Sequence, residues 1–281
     1  MMYPGPVVSA EWLASHLDDA SVRIVDATVH LPDTGRNAKA EYLQEHIPGA
    51  VFFDLEVIAD PAHPLPRKFP PVGIFAHEVG ELGINNDTHV VAYDAPGLYS
   101  AARVWWLFRQ YGYDKVSVLD GGLKHWKAQG RPVQSGAERL SPTVFTVNAE
   151  RDLLALWPQV LEASGGSTVQ IIDARTPGRF AGTEQDRYPG TRAGHIPNSI
   201  NLYWADLLEP ESRKLLSTVQ LRERFSSAGI HWDKPVMATC GSGLTACILA
   251  LGLHLCGKED WKVYDGSWDE WGRRQDLPLA P

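Results

Sequence analysis

Cysteine is scarce in this chain and poorly distributed for cross-linking, with three in 281 residues, at positions 240, 247 and 256. An odd number crowded into the last 42 residues does not make a disulfide framework, which points to a reduced, cytoplasmic protein. The sequence has no run of lysine or arginine, and 26 basic against 34 acidic residues leave a formal charge of −8. Phosphate backbones need clustered cations, so nucleic acid is excluded as a partner, while a small anion needs only a local pocket. No stretch approaches the roughly 18 consecutive apolar residues of a membrane span. The opening residues 1–17 carry neither a basic nor an apolar leader segment, so no secretory signal is expected. Cys240, Cys247, His254 and Cys256 lack the paired short spacing of a zinc site, and no metal is expected. What the chain does have is an ordinary globular composition, 44% hydrophobic, with ten tryptophans to fill its cores.

It also repeats itself. VRIVDATV at 22–29 returns as VQIIDARTP at 169–177, and EHIPGAVFFDLE at 45–56 returns as GHIPNSINLYWAD at 194–206. The offsets are 147 residues for Asp26 to Asp173, 149 for His46 to His195, 146 for Asp94 to Cys240 and 145 for Asp120 to Asp265. Four anchors in one order at nearly one offset mean a tandem duplication. Short apolar runs, Val22–Val25, Val90–Ala92, Val116–Leu119, Val169–Ile172 and Val236–Ala238, predict buried strands. Between them lie amphipathic stretches of helical length such as Ser100–Tyr111 and Thr218–Ala228. The class is therefore α/β, with two domains, each a mainly parallel sheet flanked by helices on both faces. The expected boundaries are 1–135, a Pro-containing linker at 136–150, and 151–281.

Ligands of such sheets sit at the carboxyl edge, where strands hand over to helices. The two corresponding turns, AYDAPGLYS at 92–100 and ATCGSGLTA at 238–246, place Asp94 opposite Cys240. Only the second half has a nucleophile there, so the first half is expected to be non-catalytic. Gly241 and Gly243 should let the backbone curl through positive φ into a nest of N–H groups, ahead of a helix beginning near Leu244. Nest and helix end both favour a thiolate, lowering the thiol from its free value of roughly 8.5 toward neutrality. Ser242 and Thr245 add hydroxyls. Cys247, seven residues into the helix, and Cys256, near its end, lie among Ile, Leu and Ala and read as core or half-buried residues. A phosphatase loop would need Arg where Ala246 stands. A protease would need a His base, but His195 is matched by His46 in the half without cysteine, so both histidines read as structural.

With these residues in view, the chain resembles the tandem rhodanese-domain sulfurtransferases over nearly its whole length. Tyr42-Leu-Gln-Glu-His46-Ile-Pro-Gly-Ala is similar to the family's N-terminal signature, and Tyr264-Asp-Gly-Ser-Trp-Asp-Glu-Trp271 to its C-terminal one. The resemblance implies that Cys240 carries sulfur as a persulfide within the substrate-binding loop Gly241, Ser242, Gly243, Leu244 and Thr245, without cofactor. An uncharged loop of this type accompanies 3-mercaptopyruvate as donor, whereas thiosulfate enzymes carry basic residues after the cysteine. It implies further that Arg179 and Arg187 grip the donor's carboxylate. Arg187 falls one residue early, with Tyr188 at the family's position, and Arg192 is the substitute. Across from the loop, Glu56 matches the family's acidic residue, Arg67 stands where relatives have a histidine, and His63 lies four residues earlier.

The function implied is transfer of sulfur from 3-mercaptopyruvate to a thiol or cyanide acceptor, thioredoxin among them, by a monomeric enzyme. Two alternatives stand beside it. One is thiosulfate:cyanide sulfur transfer. The other is a non-catalytic rhodanese-fold interaction module, against which the intact Cys240 loop counts.

Overall fold

The computed structural model describes residues 3–31 and 34–281 and divides the chain into two compact units. The first extends to Arg151 and takes in Pro210–Leu215, and the second comprises Asp152–Glu209 and Leu216–Pro281. Residues 136–150 are no free linker. Thr143 N–H bonds the Gly80 carbonyl at 2.9 Å, and Phe145, 5% exposed, packs edge-on against Phe75, Phe108 and Tyr113. An aromatic anchor in the middle of the segment fixes it to the first unit, which is what its lack of periodicity could not reveal.

The first unit runs β1 (Val7–Val8), α1 (Ala10–Ala14), β2 (Val22–Asp26), α2 (Ala38–Gln44), β3 (Val51–Phe52), α3 (Val72–Glu81), β4 (His89–Tyr93), α4 (Ala101–Gln110), β5 (Val116–Leu119) and α5 (Gly122–Ala128). The second repeats it as β6 (Leu154–Ala155), α6 (Trp157–Ser164), β7 (Gln170–Asp173), α7 (Pro177–Phe180), β8 (Ser199–Asn201), α8 (Thr218–Ser227), β9 (Val236–Thr239), α9 (Ala246–Leu255), β10 (Trp261–Tyr264) and α10 (Ser267–Trp271). Strand order is β1-β5-β4-β2-β3 in one sheet and β6-β10-β9-β7-β8 in the other, and every pairing is parallel. Parallel neighbours require helical crossovers, and the flanking helices supply them.

Sequence and local structure agree where the signals were strong. The five residues of β4 and the four of β9 are all buried, as unbroken apolar runs demand. Helix α8 opens on a capping box, with Ser217 accepting from Gln220 N–H while the Gln220 side chain accepts from Ser217 N–H. Helix α4 differs from the amphipathic expectation: Trp105 and Trp106 are fully buried, and Arg103 is 1% exposed. A core under β9 and β10 gathers Ile171, Met237, Tyr264, Trp268 and Trp271. That core holds β9 through Met237 and the carboxyl end of β10 through Tyr264, and the turns at residues 240 and 265 follow directly on these strands.

The two HIP turns use their histidines alike. His46 Nδ1 bonds the Tyr42 carbonyl at 2.7 Å, and His195 Nδ1 bonds that of Phe180 at 2.9 Å. Each histidine also makes a backbone bridge, to Gln134 and to Ala280 respectively, and stacks on an aromatic ring. Both serve structure.

Candidate active site

Strand β9 ends at Thr239, and Cys240 begins a six-residue loop that closes at Thr245, the cap of α9. The cysteine is 2% exposed. Its Sγ accepts the Gly243 N–H at 3.1 Å, and Gly243 reaches this position with φ +88°. Gly241 is glycine for another reason. Its φ is not positive; a Cβ there would lie 2.5 Å from Tyr188 Cε2 and 2.9 Å from the phenolic oxygen. Close approach of a ring, rather than left-handed backbone, fixes that residue. Ser242, Leu244 and Thr245 are all buried within the loop. Cys247 is the second residue of α9, not a mid-helix residue, and its thiol faces the Gly243 carbonyl at 3.3 Å. Cys256 caps the far end of α9, where burial raises its thiol.

Three bonds from the first residues of α10 hold the loop. Ser267 Oγ accepts the Cys240 N–H at 3.1 Å and donates to the Tyr264 carbonyl at 2.8 Å, with Cys240 Sγ 3.9 Å away. Trp268 N–H bonds the Cys240 carbonyl at 2.9 Å, and Asp269 N–H bonds that of Gly241 at 2.8 Å. Ser267 adopts φ +51°, the left-handed region disfavoured for a side chain. Its counterpart 145 residues earlier, Gly122, has φ +55° without that cost. Serine at this place was not singled out from the sequence. The signal was there in the change from DGG at 120–122 to DGS at 265–267.

The first unit displays the twin of this loop in a filled state. Asp94 is fully buried, and its Oδ2 accepts the N–H groups of Tyr99 and Ser100 at 2.7 Å and of Ala101 at 2.8 Å. Burial nevertheless raises this carboxyl above its ordinary value. The same three positions in the second unit are Thr245, Ala246 and Cys247.

The arginines divide sharply. Arg179, on α7, is half-buried; its Nε donates to Thr176 Oγ1 at 3.2 Å, with Glu184 3.6 Å away. Arg187 is exposed, while its neighbour Tyr188 is the residue lying on Gly241. Arg192 is committed to structure: it donates to the carbonyls of Gly272, Leu277, Trp271 and Arg274 at 2.7–3.2 Å, clamping the end of α10. These four bonds use four of its five guanidinium donors, so it is a structural clamp rather than a substitute for Arg187. Arg175 is also structural. It pairs with Asp173 and Asp186, 1% exposed, under the Trp268 ring at 4.3 Å, and these carboxylates outweigh the burial that opposes its charge.

Glu56, Arg67 and His63 belong to the first unit. Arg67, 6% exposed and at φ +57°, pairs with the half-exposed Glu56 carboxylate, and His63 Nδ1 accepts the Leu65 N–H at 3.1 Å. Arginine and acid are thus brought together, and the histidine is turned to its own loop. Among the described residues, no group of three His, Cys, Asp or Glu side chains is arranged to hold a metal ion, and no helix is long and apolar enough to cross a membrane.

A rhodanese-like domain model matches the chain twice, over residues 9–129 and 157–274. The chain is 42% identical to the 3-mercaptopyruvate sulfurtransferase of Escherichia coli K12 over 275 residues, covering 98% of this chain and 97% of that one. The human 3-mercaptopyruvate sulfurtransferase is 41% identical, with 95% and 92% covered. The bovine thiosulfate sulfurtransferase is 42% identical, with 95% and 92% covered. Among solved structures, SseA from Escherichia coli, a 3-mercaptopyruvate sulfotransferase, superposes with a TM-score of 0.84 at 39% identity, covering 94% of this chain and 99% of that one.

Proposed function

We propose, on the premise that this chain belongs to the rhodanese family as a tandem-domain sulfurtransferase, that it moves sulfur from 3-mercaptopyruvate to a thiol or cyanide through a persulfide on Cys240. The observation that carries the reading is the Asp94 loop. A carboxylate there reaches one atom beyond Cγ and fills the nest with Oδ2. A cysteine stops at Sγ, and the outer sulfur of a persulfide supplies the missing atom. The first unit therefore illustrates with oxygen what the second would bind with sulfur.

The reaction proceeds as two displacements. The Cys240 thiolate attacks the donor sulfur, an S–S bond forms, and the donor's C–S bond breaks with its electron pair going to carbon. That carbon takes up a proton and leaves as pyruvate. An acceptor thiolate, such as that of thioredoxin, or cyanide then attacks the outer sulfur and returns Cys240 as thiolate. Loop amides and Ser242 stabilise the anionic sulfur in each step, and Arg179 holds the donor carboxylate.

The bovine thiosulfate enzyme is as similar as the mercaptopyruvate enzymes, so identity does not choose the donor. The loop does: Gly241 to Thr245 carries no charge, and a dianion such as thiosulfate calls for cations there. All three cysteines are free, in keeping with a reducing compartment such as the cytoplasm. Two measurements test the proposal. Incubation with 3-mercaptopyruvate should add the mass of one sulfur to the wild type and none to Cys240→Ser. The kcat/KM should be higher for 3-mercaptopyruvate than for thiosulfate; the reverse order would overturn the donor assignment.

A further inference from the structure

The Cys240 loop is flanked by a charged pair that the two displacements leave unused. Asp269 lies on α10 with its side chain 3% exposed, and its N–H is fastened to the Gly241 carbonyl at 2.8 Å. A carboxylate held so near the loop would, alone, oppose both an ionised Cys240 and an incoming anion. Arg273 answers it from one helical turn further on, with Nε donating to Asp269 Oδ1 at 2.8 Å. Arg273 lies two residues past the end of α10, and this contact turns its guanidinium back alongside Asp269, whose own N–H is bonded to the loop.

That contact uses one of five guanidinium donors. Nη1 lies 3.6 Å from where a Cβ would stand on Gly190, two residues from the Tyr188 ring that covers Gly241. The Arg273 side chain is 40% exposed. It therefore joins Asp269, Gly190, Tyr188 and Gly241 in one continuous patch. Arg192 is spent on carbonyls and Arg175 on two buried carboxylates, whereas Arg273 is both steadied by an acid and open to a ligand.

We propose that Arg273 is a binding residue for the carboxylate of the sulfur donor, its guanidinium oriented by Asp269 and its Nη groups presented beside the Cys240 loop. This rests on the donor being the small monocarboxylate 3-mercaptopyruvate. The pair is neutral overall, so Arg273 offers directional donors for a planar carboxylate rather than the strong positive field a dianion would select.

Two readouts test this. In Arg273→Ala the KM for 3-mercaptopyruvate should rise about tenfold to a hundredfold, the range of a charge-assisted bond, with kcat changed far less. Arg273→Lys should recover part of the loss. Separately, iodoacetate and iodoacetamide should alkylate Cys240 at rates whose ratio falls in Arg273→Ala, because only the first reagent carries a carboxylate. An undiminished iodoacetamide rate certifies an intact loop. A KM unchanged in an enzyme that uses 3-mercaptopyruvate, or an unchanged alkylation ratio, overturns the role of Arg273. Failure of the wild type to use 3-mercaptopyruvate would sink the donor assignment instead, and the alkylation ratio would still decide the place of Arg273.

Discussion

Ser267 is the side chain whose replacement should reveal most about how the loop is held. It is fully buried, its hydroxyl serves Cys240 N–H and the Tyr264 carbonyl together, and it sits at φ +51°. Ser267→Ala keeps the strained backbone and strands a buried donor and a buried acceptor. At about 1–3 kcal/mol for each group left unsatisfied, with relaxation recovering part, the net cost should be about 2–3 kcal/mol. Ser267→Gly loses the same hydroxyl but releases the left-handed strain, worth about 1 kcal/mol. Glycine should therefore be the milder change by about 1 kcal/mol, although it is normally the worse residue in a folded chain.

Urea unfolding of the three proteins measures the order directly. Stability should fall in the sequence serine, glycine, alanine, and each kcal/mol should lower the melting temperature by a few degrees, about 2–4 °C for units of this size. Both variants should also lose kcat, because the Cys240 N–H is no longer pinned at the root of the nest. An alanine variant as stable as wild type would refute the hydroxyl account. A glycine variant less stable than alanine would refute the strain account.

Two further outcomes concern buried groups. Cys240→Asp should fold, show no sulfur transfer and unfold at a higher temperature than Cys240→Ser, since its carboxylate can take the Thr245 and Ala246 amides as Asp94 takes their twins, the Cys247 amide being bonded to the Leu244 carbonyl; a melting temperature at or below that of the serine variant would count against the Asp94 analogy. The His89 imidazole is pushed down to about 4 from 6.5, chiefly by burial and next by His16. The unfolded chain then takes up the proton first, so stability is full above about pH 6.5 and lost as pH falls toward 4, by about 2–3 kcal/mol at most. Denaturant midpoints across that range should show the loss, and His89→Gln should flatten it.

The duplication, the strand runs and the nucleophile were legible because each is written in a contiguous stretch or a fixed offset. Parallel strands bury both faces, so β4 and β9 announce themselves as unbroken apolar runs. Fates decided by distant partners were not legible. Arg179, Arg187, Arg192 and Arg273 are chemically identical letters, and only the carbonyls around the end of α10 separate Arg192 as a clamp. Gly241 looked like a turn glycine, whereas a ring 53 residues earlier in the chain determines it. The segment 136–150 lacked periodicity because a single aromatic, Phe145, anchors it instead of a repeating face.

The two loops, compared position by position, show where the duplicated fold accepts strain. In the first unit the acid at 94 satisfies the nest from within, and the residue behind it, Gly122, adopts its left-handed turn freely. In the second unit no carboxylate fills the nest, the Cys247 N–H bonds the Leu244 carbonyl at 3.2 Å instead, and a serine at the equivalent turn accepts an unfavourable φ to bring its hydroxyl to the Cys240 N–H. Neither change stabilises the fold: one removes an anion from three amide donors, and the other puts a side chain where glycine is preferred. One change is Cys240 itself, and the other places a hydroxyl on its N–H, 3.9 Å from its sulfur. Departures from the twin that cost stability and converge on one residue are expected where a site must receive something the chain does not itself supply.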